Sequence, residues 1–160
     1  MIVLESLIAC AVYTMFVFLL SRDPLMYIFN YPPAIVERCA QLNLIDNGPK
    51  SKDKIAFYVK KFLALLLFGV ILGLLVSYFN DCNTFLRGAK YAYAIWFVVV
   101  WFDAVVLDCL WFCHDKHFVV PGTEDMTDAY HDFRFHIKGA FWSMLWGIPA
   151  AAVAGLVALL

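Results

Sequence analysis

The sequence predicts an all-α protein, an integral membrane four-helix bundle with one short amphipathic interfacial helix. Hydrophobic residues make up 64% of its 160 residues and charged residues only 16%, whereas soluble domains are about 45–50% apolar and about 25% charged. Four apolar stretches each have about the 20 residues that a helix needs to cross a bilayer. We therefore expect a single transmembrane domain with the lipid bilayer as its main partner.

Four spans and two long polar connections follow from these stretches. The predicted spans cover residues 1–20, 55–79, 91–113 and 137–160. The predicted connections cover residues 21–54 and 114–136. The first stretch lacks a basic amino-terminal region and a small-residue cleavage site, so we interpret it as a retained span rather than a signal peptide. Pro24 follows the first span and disfavours further helix. Ser51 is placed to cap the start of the second span.

The first connection contains a candidate interfacial helix, the segment PAIVERCAQLNLI that begins at Pro33. Its apolar residues, such as Ile35 and Cys39, recur at helical spacing, and charged residues take the other side. The segment is too short to span a membrane. It is expected to lie in the plane of the lipid headgroups or to pack on the end of the bundle.

Rows of small residues mark two spans as packing helices. Gly69 and Gly73 lie four residues apart in the second span, and Gly147 and Gly155 lie in a similar row in the fourth. Small residues at four-residue spacing let a neighbouring helix backbone approach closely. The neighbour could belong to the same chain, to another copy in a homo-oligomer, or to a partner membrane subunit.

The distribution of basic residues predicts the orientation. Ten of the twelve lysines and arginines lie in or beside the two long connections. Positive residues favour the cytoplasmic side, so both termini are predicted to be extracytoplasmic in a multi-pass protein of the cell membrane, the inner membrane of a bacterium. The sequence has no dense basic face with interleaved aromatics, so nucleic acid is not an expected partner.

Asp103 and Asp108 are the two acids of the third span. A charge near the centre of a membrane helix costs about 2.5–3.5 kcal/mol on insertion scales. On an α-helix, residues five apart diverge by about 140°, so the two acids are not expected to form a carboxylate pair. With no basic residue at its depth in the other spans, Asp103 is expected to be neutral or to bond to a hydroxyl such as that of Tyr13 or Thr14. It is either a proton or cation relay or a neutral acid that fixes helix register.

All four histidines fall within 23 residues after the third span, interleaved with acids. Asp103 is expected to share a helical stripe with Leu107, Leu110, His114 and His117. Histidine and carboxylate at three- or four-residue spacing are how helices present metal ligands. The candidate ligands of a divalent metal are His114, His117, Asp132 and His136.

The second half of this run is predicted to be helical. Thr123 is placed to cap a helix that runs directly into the fourth span. Asp128, Asp132 and His136 would then lie at four-residue spacing on one face of that helix. The end of the third span and the start of the fourth would meet at the cytoplasmic surface with their histidines and acids together.

Three phrases carry a resemblance over most of the chain: DPLMYIFNYPPAIVERCAQLNLI, LDCLWFCHDKHFVVPGTEDM and YHDFRFHIKG. They resemble a group of small integral membrane proteins of anaerobic bacteria. The resemblance implies a four-span fold and no particular chemistry.

Three functions are compatible with these features. The first is a membrane protein whose cytoplasmic-face cluster of histidines and carboxylates binds a divalent metal for hydrolytic or transfer chemistry. The second is an ion or small-solute transport component that uses Asp103 and Asp108. The third is a non-catalytic accessory or scaffold subunit whose glycine rows bind partner helices. The sequence contains no metalloprotease, calcium-loop, nucleotide-binding or hydrolase signature, so whether the protein is an enzyme stays open.

Overall fold

The computed structural model describes residues 2–21, 23–48 and 51–160, and only the backbone of Leu20. Met1, Arg22, Pro49 and Lys50, which fall in the predicted first span and first connection, lie outside the described residues. No strand occurs within the described ranges, so the predicted all-α class is confirmed. The elements in chain order are α1 (Ile2–Leu20), a 3₁₀ helix (Pro24–Asn30), α2 (Pro33–Gln41), α3 (Lys52–Asn80), α4 (Phe85–Phe102), a π-helix (Asp103–Phe112), a 3₁₀ helix (Lys116–Phe118), α5 (Thr127–Tyr130) and α6 (Phe133–Val157).

Among the residues that the structure describes, four helical units are long and apolar enough to cross a membrane, as predicted: α1, α3, α4 with the π-helix, and the unit that contains α6. Three of them extend beyond the predicted spans, because polar turns continue a membrane helix past its apolar core. α6 is one of the three, since it begins at Phe133 instead of residue 137. α3 begins at Lys52 after the predicted cap, since the Ser51 side chain accepts a hydrogen bond from the Lys54 backbone N–H at 3.3 Å. The third unit begins at Phe85 instead of residue 91.

α6 packs against both α3 and α4, and α1 lies along α4. The main core is formed where these helices meet. Leu72 and Val76 of α3, Ile95 and Val99 of α4 and Ala154 of α6 are all buried there. Cys10 brings α1 into the same core. The bundle is thus three mutually packed helices with α1 added on one side.

The predicted glycine rows face helices of this same chain. A Cβ at Gly69 would lie 2.6 Å from the Ala150 carbonyl oxygen, and one at Gly73 would lie 2.7 Å from Val157 Cβ. A Cβ at Gly155 would lie 2.7 Å from the carbonyl oxygen of Phe85, and one at Gly147 would meet the Trp96 indole. The packing partner that the sequence left open is therefore in the same chain. The glycine row of α3 packs against α6, and the glycine row of α6 packs against α4.

The two long connections fold together into a small cap, defined here as residues 23–48 and 113–132. Its core contains buried Ile28, Ile35, Cys39 and Val120. Of the two placements expected for α2, packing on the end of the bundle is the one found, because its apolar side faces this core. We call this end of the bundle the capped end and the opposite one, near both termini, the terminal end.

The predicted continuous helix from Thr123 into the fourth span is wrong. The Thr123 hydroxyl donates to the Val120 carbonyl at 2.7 Å instead of capping a helix. Only the single turn α5 follows, and α6 begins anew after Asp132, whose carboxylate accepts a hydrogen bond from the Phe135 N–H at 3.1 Å. Short polar side chains of this kind compete with helix continuation by bonding to nearby backbone. Asp128, Asp132 and His136 therefore do not share one helical face.

Candidate functional site

The third span changes its winding at Asp103. Residues Asp103–Phe112 form a π-helix, and the Cys113 N–H donates to the Asp108 carbonyl, five residues earlier, at 3.0 Å. In a π-helix, whose hydrogen bonds join residues five apart, such residues lie slightly more than one turn apart and diverge much less than in an α-helix. Asp103 and Asp108 therefore share a side of the helix. The prediction that they diverge is wrong because it assumed α-helical winding.

The predicted stripe along the third span is wrong for the same reason. Leu107 is only 5% exposed, but Leu110, expected on the same face, is 63% exposed. The helix also ends at Phe112. His114 and His117 consequently lie in the cap and do not continue the side that carries Asp103.

Asp103 is bonded across helices to α1. The Tyr13 hydroxyl donates to Asp103 Oδ2 at 3.1 Å, one of the two donors expected from the sequence. Thr14, the other, donates to the Cys10 carbonyl at 2.8 Å. The Lys61 side chain of α3 donates to Asn30 Oδ1 at 2.8 Å.

Asp108 is paired with a buried histidine of α6. His136 Nδ1 lies 3.1 Å from Asp108 Oδ2, and His136 is only 5% exposed. Its second ring nitrogen, Nε2, has no hydrogen-bond partner in the part of the chain that the structure describes. The ring centroid of Phe112 lies 5.3 Å from that of His136. Leaving a buried polar atom unpaired costs about 1–3 kcal/mol, so an atom of this kind requires an explanation, and a catalytic role is one of the explanations.

Glu5 is a third acid between helices, and it lies near the terminal end. Its carboxylate accepts hydrogen bonds from Asn80 Nδ2 at 2.9 Å and from the Tyr91 hydroxyl at 2.6 Å. These bonds tie α1 to the ends of α3 and α4. The sequence analysis used Glu5 only against a signal peptide. The signal that could have found it is the one applied to Asp103, an acid inside an apolar span.

The four predicted metal ligands are not brought together. His117 Nε2 lies 3.1 Å from the Ser21 carbonyl oxygen, Asp132 caps α6, and His136 is paired with Asp108. His114 instead contacts His131, with ring centroids 5.1 Å apart. Within the described ranges, no three or more His, Cys, Asp or Glu side chains are grouped so that they could hold a metal ion.

Hydrogen bonds and burial shift the pKa values of two side chains in the cap segment that follows the π-helix. The His117 backbone N–H and the Trp111 indole N–H donate to Asp115, each at 2.9 Å, and hold the pKa of that carboxyl below its ordinary value. Burial, with the nearby Cys109, raises the pKa of Cys113 to about 12. A thiol with so high a pKa is almost entirely protonated at neutral pH, so Cys113 is a poor nucleophile.

These features define the protein as a polytopic membrane bundle with ionisable side chains held between its helices. The class follows from four apolar spans and from the pairs Tyr13–Asp103 and Asp108–His136. No known protein family, curated protein or solved structure matches the chain.

Proposed function

We propose that this protein is a proton-transport component of a membrane, in which Asp103, Asp108 and His136 bind and pass protons. The observation that carries the proposal is the placement of both acids on one side of the π-helix. Each acid contacts a proton-bearing group from a different helix, Tyr13 of α1 for Asp103 and His136 of α6 for Asp108.

The chemistry of these groups supports proton transfer. Ionisable residues within membrane helices are costly, and chains of Asp, Glu and His are the proton relays of pumps and transporters. Histidine can accept a proton on one ring nitrogen and release one from the other. With Nδ1 at Asp108 and Nε2 without a partner among the described residues, His136 can exchange a proton with Asp108 through one ring nitrogen and with a further proton carrier through the other.

The polar contacts favour a proton over a larger cation. A metal such as Ca²⁺ takes six to eight oxygen ligands, and Mg²⁺ needs near-ideal octahedral geometry. Each carboxylate here already has a neighbouring donor from a hydroxyl or an imidazole. A proton can move between such groups without a ligand cage or a wide pore.

The other two hypotheses have less support. Metal-dependent hydrolytic or transfer chemistry, predicted first from the sequence, needs His114, His117, Asp132 and His136 in one place, and these side chains have separate partners. The scaffold hypothesis relies on glycine rows that are free to bind a partner. The glycines of both rows face α4 or α6 of the same chain.

Proton flux in reconstituted vesicles tests the proposal. Purified protein in proteoliposomes loaded with a pH-sensitive dye should pass protons when a potassium diffusion potential is applied with valinomycin. Asp103→Asn keeps the size of the side chain but removes its titration, so flux should fall to that of empty vesicles. Asp81→Asn is the matched control, because Asp81 caps the far end of α3 with a left-handed backbone (φ 49°) that asparagine also tolerates. Flux that survives Asp103→Asn, or wild-type flux equal to that of empty vesicles, would sink the proposal.

A further inference from the structure

We propose a second site, on the surface of the cap, where His114 and His131 together bind Zn²⁺ or another divalent transition metal that prefers imidazole. The site is separate from the Asp108–His136 pair. It shares only His114 with the ligand set predicted from the sequence. Both imidazoles are exposed, so a metal ion can reach them from solvent.

The spacing of the two rings fits a shared metal ion. Their centroids are 5.1 Å apart and their planes are perpendicular. Two imidazoles on one tetrahedral zinc ion, with Zn–N distances of about 2.0–2.1 Å, have centroids roughly 5 Å apart. Both side chains are exposed, so rotation about their side-chain bonds can place one nitrogen of each ring on the same ion.

A backbone hydrogen bond prepares His131 to be a ligand. Its Nδ1 lies 2.8 Å from the Thr127 carbonyl oxygen. A carbonyl oxygen only accepts hydrogen bonds, so Nδ1 carries the hydrogen and Nε2 keeps its lone pair in the neutral ring. Histidines that bind metals usually donate their other ring N–H in this way, which fixes both tautomer and orientation.

An aromatic neighbour supports the ring of His114. The Phe133 ring is stacked on it, with centroids 6.2 Å apart and planes 21° apart. The same ring meets His131 edge-on at 6.4 Å. Phe133 is the first residue of α6, so the pair lies where the cap joins the fourth spanning helix.

Water or a ligand from another molecule would complete the coordination. Among the described side chains, no group of three or more His, Cys, Asp or Glu is placed for a metal, so this chain supplies two nitrogens. Imidazole suits zinc, copper and nickel, whereas carboxylates and water suit magnesium and calcium. The predicted ion is therefore a late transition metal that keeps open coordination positions.

Metal titration of the full chain tests the site. The protein should be purified in detergent with a tag that contains no histidine, then titrated with Zn²⁺ against a chromophoric chelator. We expect one ion per chain. His114→Ala and His131→Ala should each weaken binding by at least about tenfold, since even the loss of an outer-shell partner costs 10–100-fold. His117→Ala, which removes another exposed histidine of the cap, should leave the affinity unchanged.

Two results would overturn the inference. One is a wild-type protein that binds no Zn²⁺, and the other is an affinity that both alanine variants retain; either would leave an edge-to-face aromatic pair and no site. Size-exclusion profiles of the variants establish that they are folded. Asp103→Asn should bind Zn²⁺ normally, so failure of the transport proposal and failure of the metal site give different results.

Discussion

The Tyr13 hydroxyl lies 3.1 Å from the Asp103 carboxylate, although the two residues are ninety positions apart in the sequence. This bond joins α1 to the segment where α4 gives way to the π-helix. α1 is otherwise mostly exposed on its apolar surface, with residues such as Leu7 and Phe16 facing outward. The position of the first helix in the bundle therefore depends on a few polar contacts as well as on its core contact at Cys10.

Tyr13→Phe should destabilise the bundle modestly. The change removes the hydroxyl and keeps the ring, and hydrogen bonds between membrane helices contribute about 0.6 kcal/mol on average and about 1.7 kcal/mol at most. Unfolding in mixed micelles, followed by circular dichroism, measures the loss. Tyr58→Phe is the control, because Tyr58 is 51% exposed on the surface of α3. An equal loss in both variants would contradict a specific Tyr13–Asp103 contribution.

His136→Gln should abolish proton flux while the fold persists. Glutamine can still hydrogen-bond to Asp108, but it cannot accept a proton on one atom and release one from another. The vesicle assay described above measures the flux, and gel filtration reports the fold. His117→Gln, in the cap and away from Asp108, should behave as wild type. Normal flux in His136→Gln would show that His136 is not part of the proton relay.

Gly69→Ala should destabilise the contact between α3 and α6. The new methyl would sit 2.6 Å from the Ala150 carbonyl oxygen, which is backbone and cannot move aside alone. Overpacking of this kind typically costs about 1–3 kcal/mol. Gly139→Ala, in α6, is the matched control because, among the described residues, no atom outside its own helix backbone and chain neighbours lies within 4 Å of the added methyl. It should be neutral or stabilising, since alanine has the higher helix propensity. Midpoints of thermal unfolding compare the two, and a stable Gly69→Ala would show that this seam can separate.

Acid should loosen the cap at Asp115. Its folded pKa lies below the ordinary 3.8 because of hydrogen bonds from the His117 N–H and the Trp111 indole. The stabilisation is therefore fully present above the unfolded pKa and is lost as pH falls through the folded one. Hydrogen exchange near His117 should be faster in Asp115→Asn than in wild type at pH 7, and the difference should disappear as the pH falls below the folded pKa of Asp115. Glu37→Gln, on the exposed side of α2, is the control, and a difference that persists at low pH would refute the assignment.

Both termini should lie outside the cytoplasm. The prediction follows from the excess of lysine and arginine in the two connections that form the cap. An alkaline phosphatase domain fused after Leu160 should be active in bacterial cells, and a green fluorescent protein fused there should be dark. The same reporters fused after Gly48 should give the reverse pattern. Fluorescence from the fusion at Leu160 would show that the orientation is the reverse of the one proposed.

The spans could be predicted because crossing a bilayer requires a length of apolar sequence that little else in a protein imposes. Their ends were less predictable, since caps and polar turns such as those at Ser51 and Phe85 extend helices beyond the apolar core. The hydroxyl partner of Asp103 was foreseen because a buried acid needs a donor and few donors occur at that depth. The pairing of Asp108 with His136 was not, because it depends on how α6 packs against the π-helix.

The winding of the third span was the main feature that the sequence concealed. A π-helix differs from an α-helix by the pairing of backbone groups, and no residue type marks it in advance. The side of the helix predicted for each residue from 103 to 112 was therefore wrong. The cap was similarly hidden, because its contacts join distant segments, such as the bond from the Tyr31 hydroxyl to the Phe118 carbonyl at 3.1 Å.

The π-helix also makes the count of residues in this segment matter as much as their identity. Removing one residue of the segment outside the pair, such as the exposed Leu110, would allow ordinary α-helical winding, in which Asp103 and Asp108, still five residues apart, diverge again. Such a shortened chain would keep its four spans and its glycine seams. Related proteins with both acids could then differ in activity through a one-residue gap alone, and their alignment across this segment would separate them where composition does not.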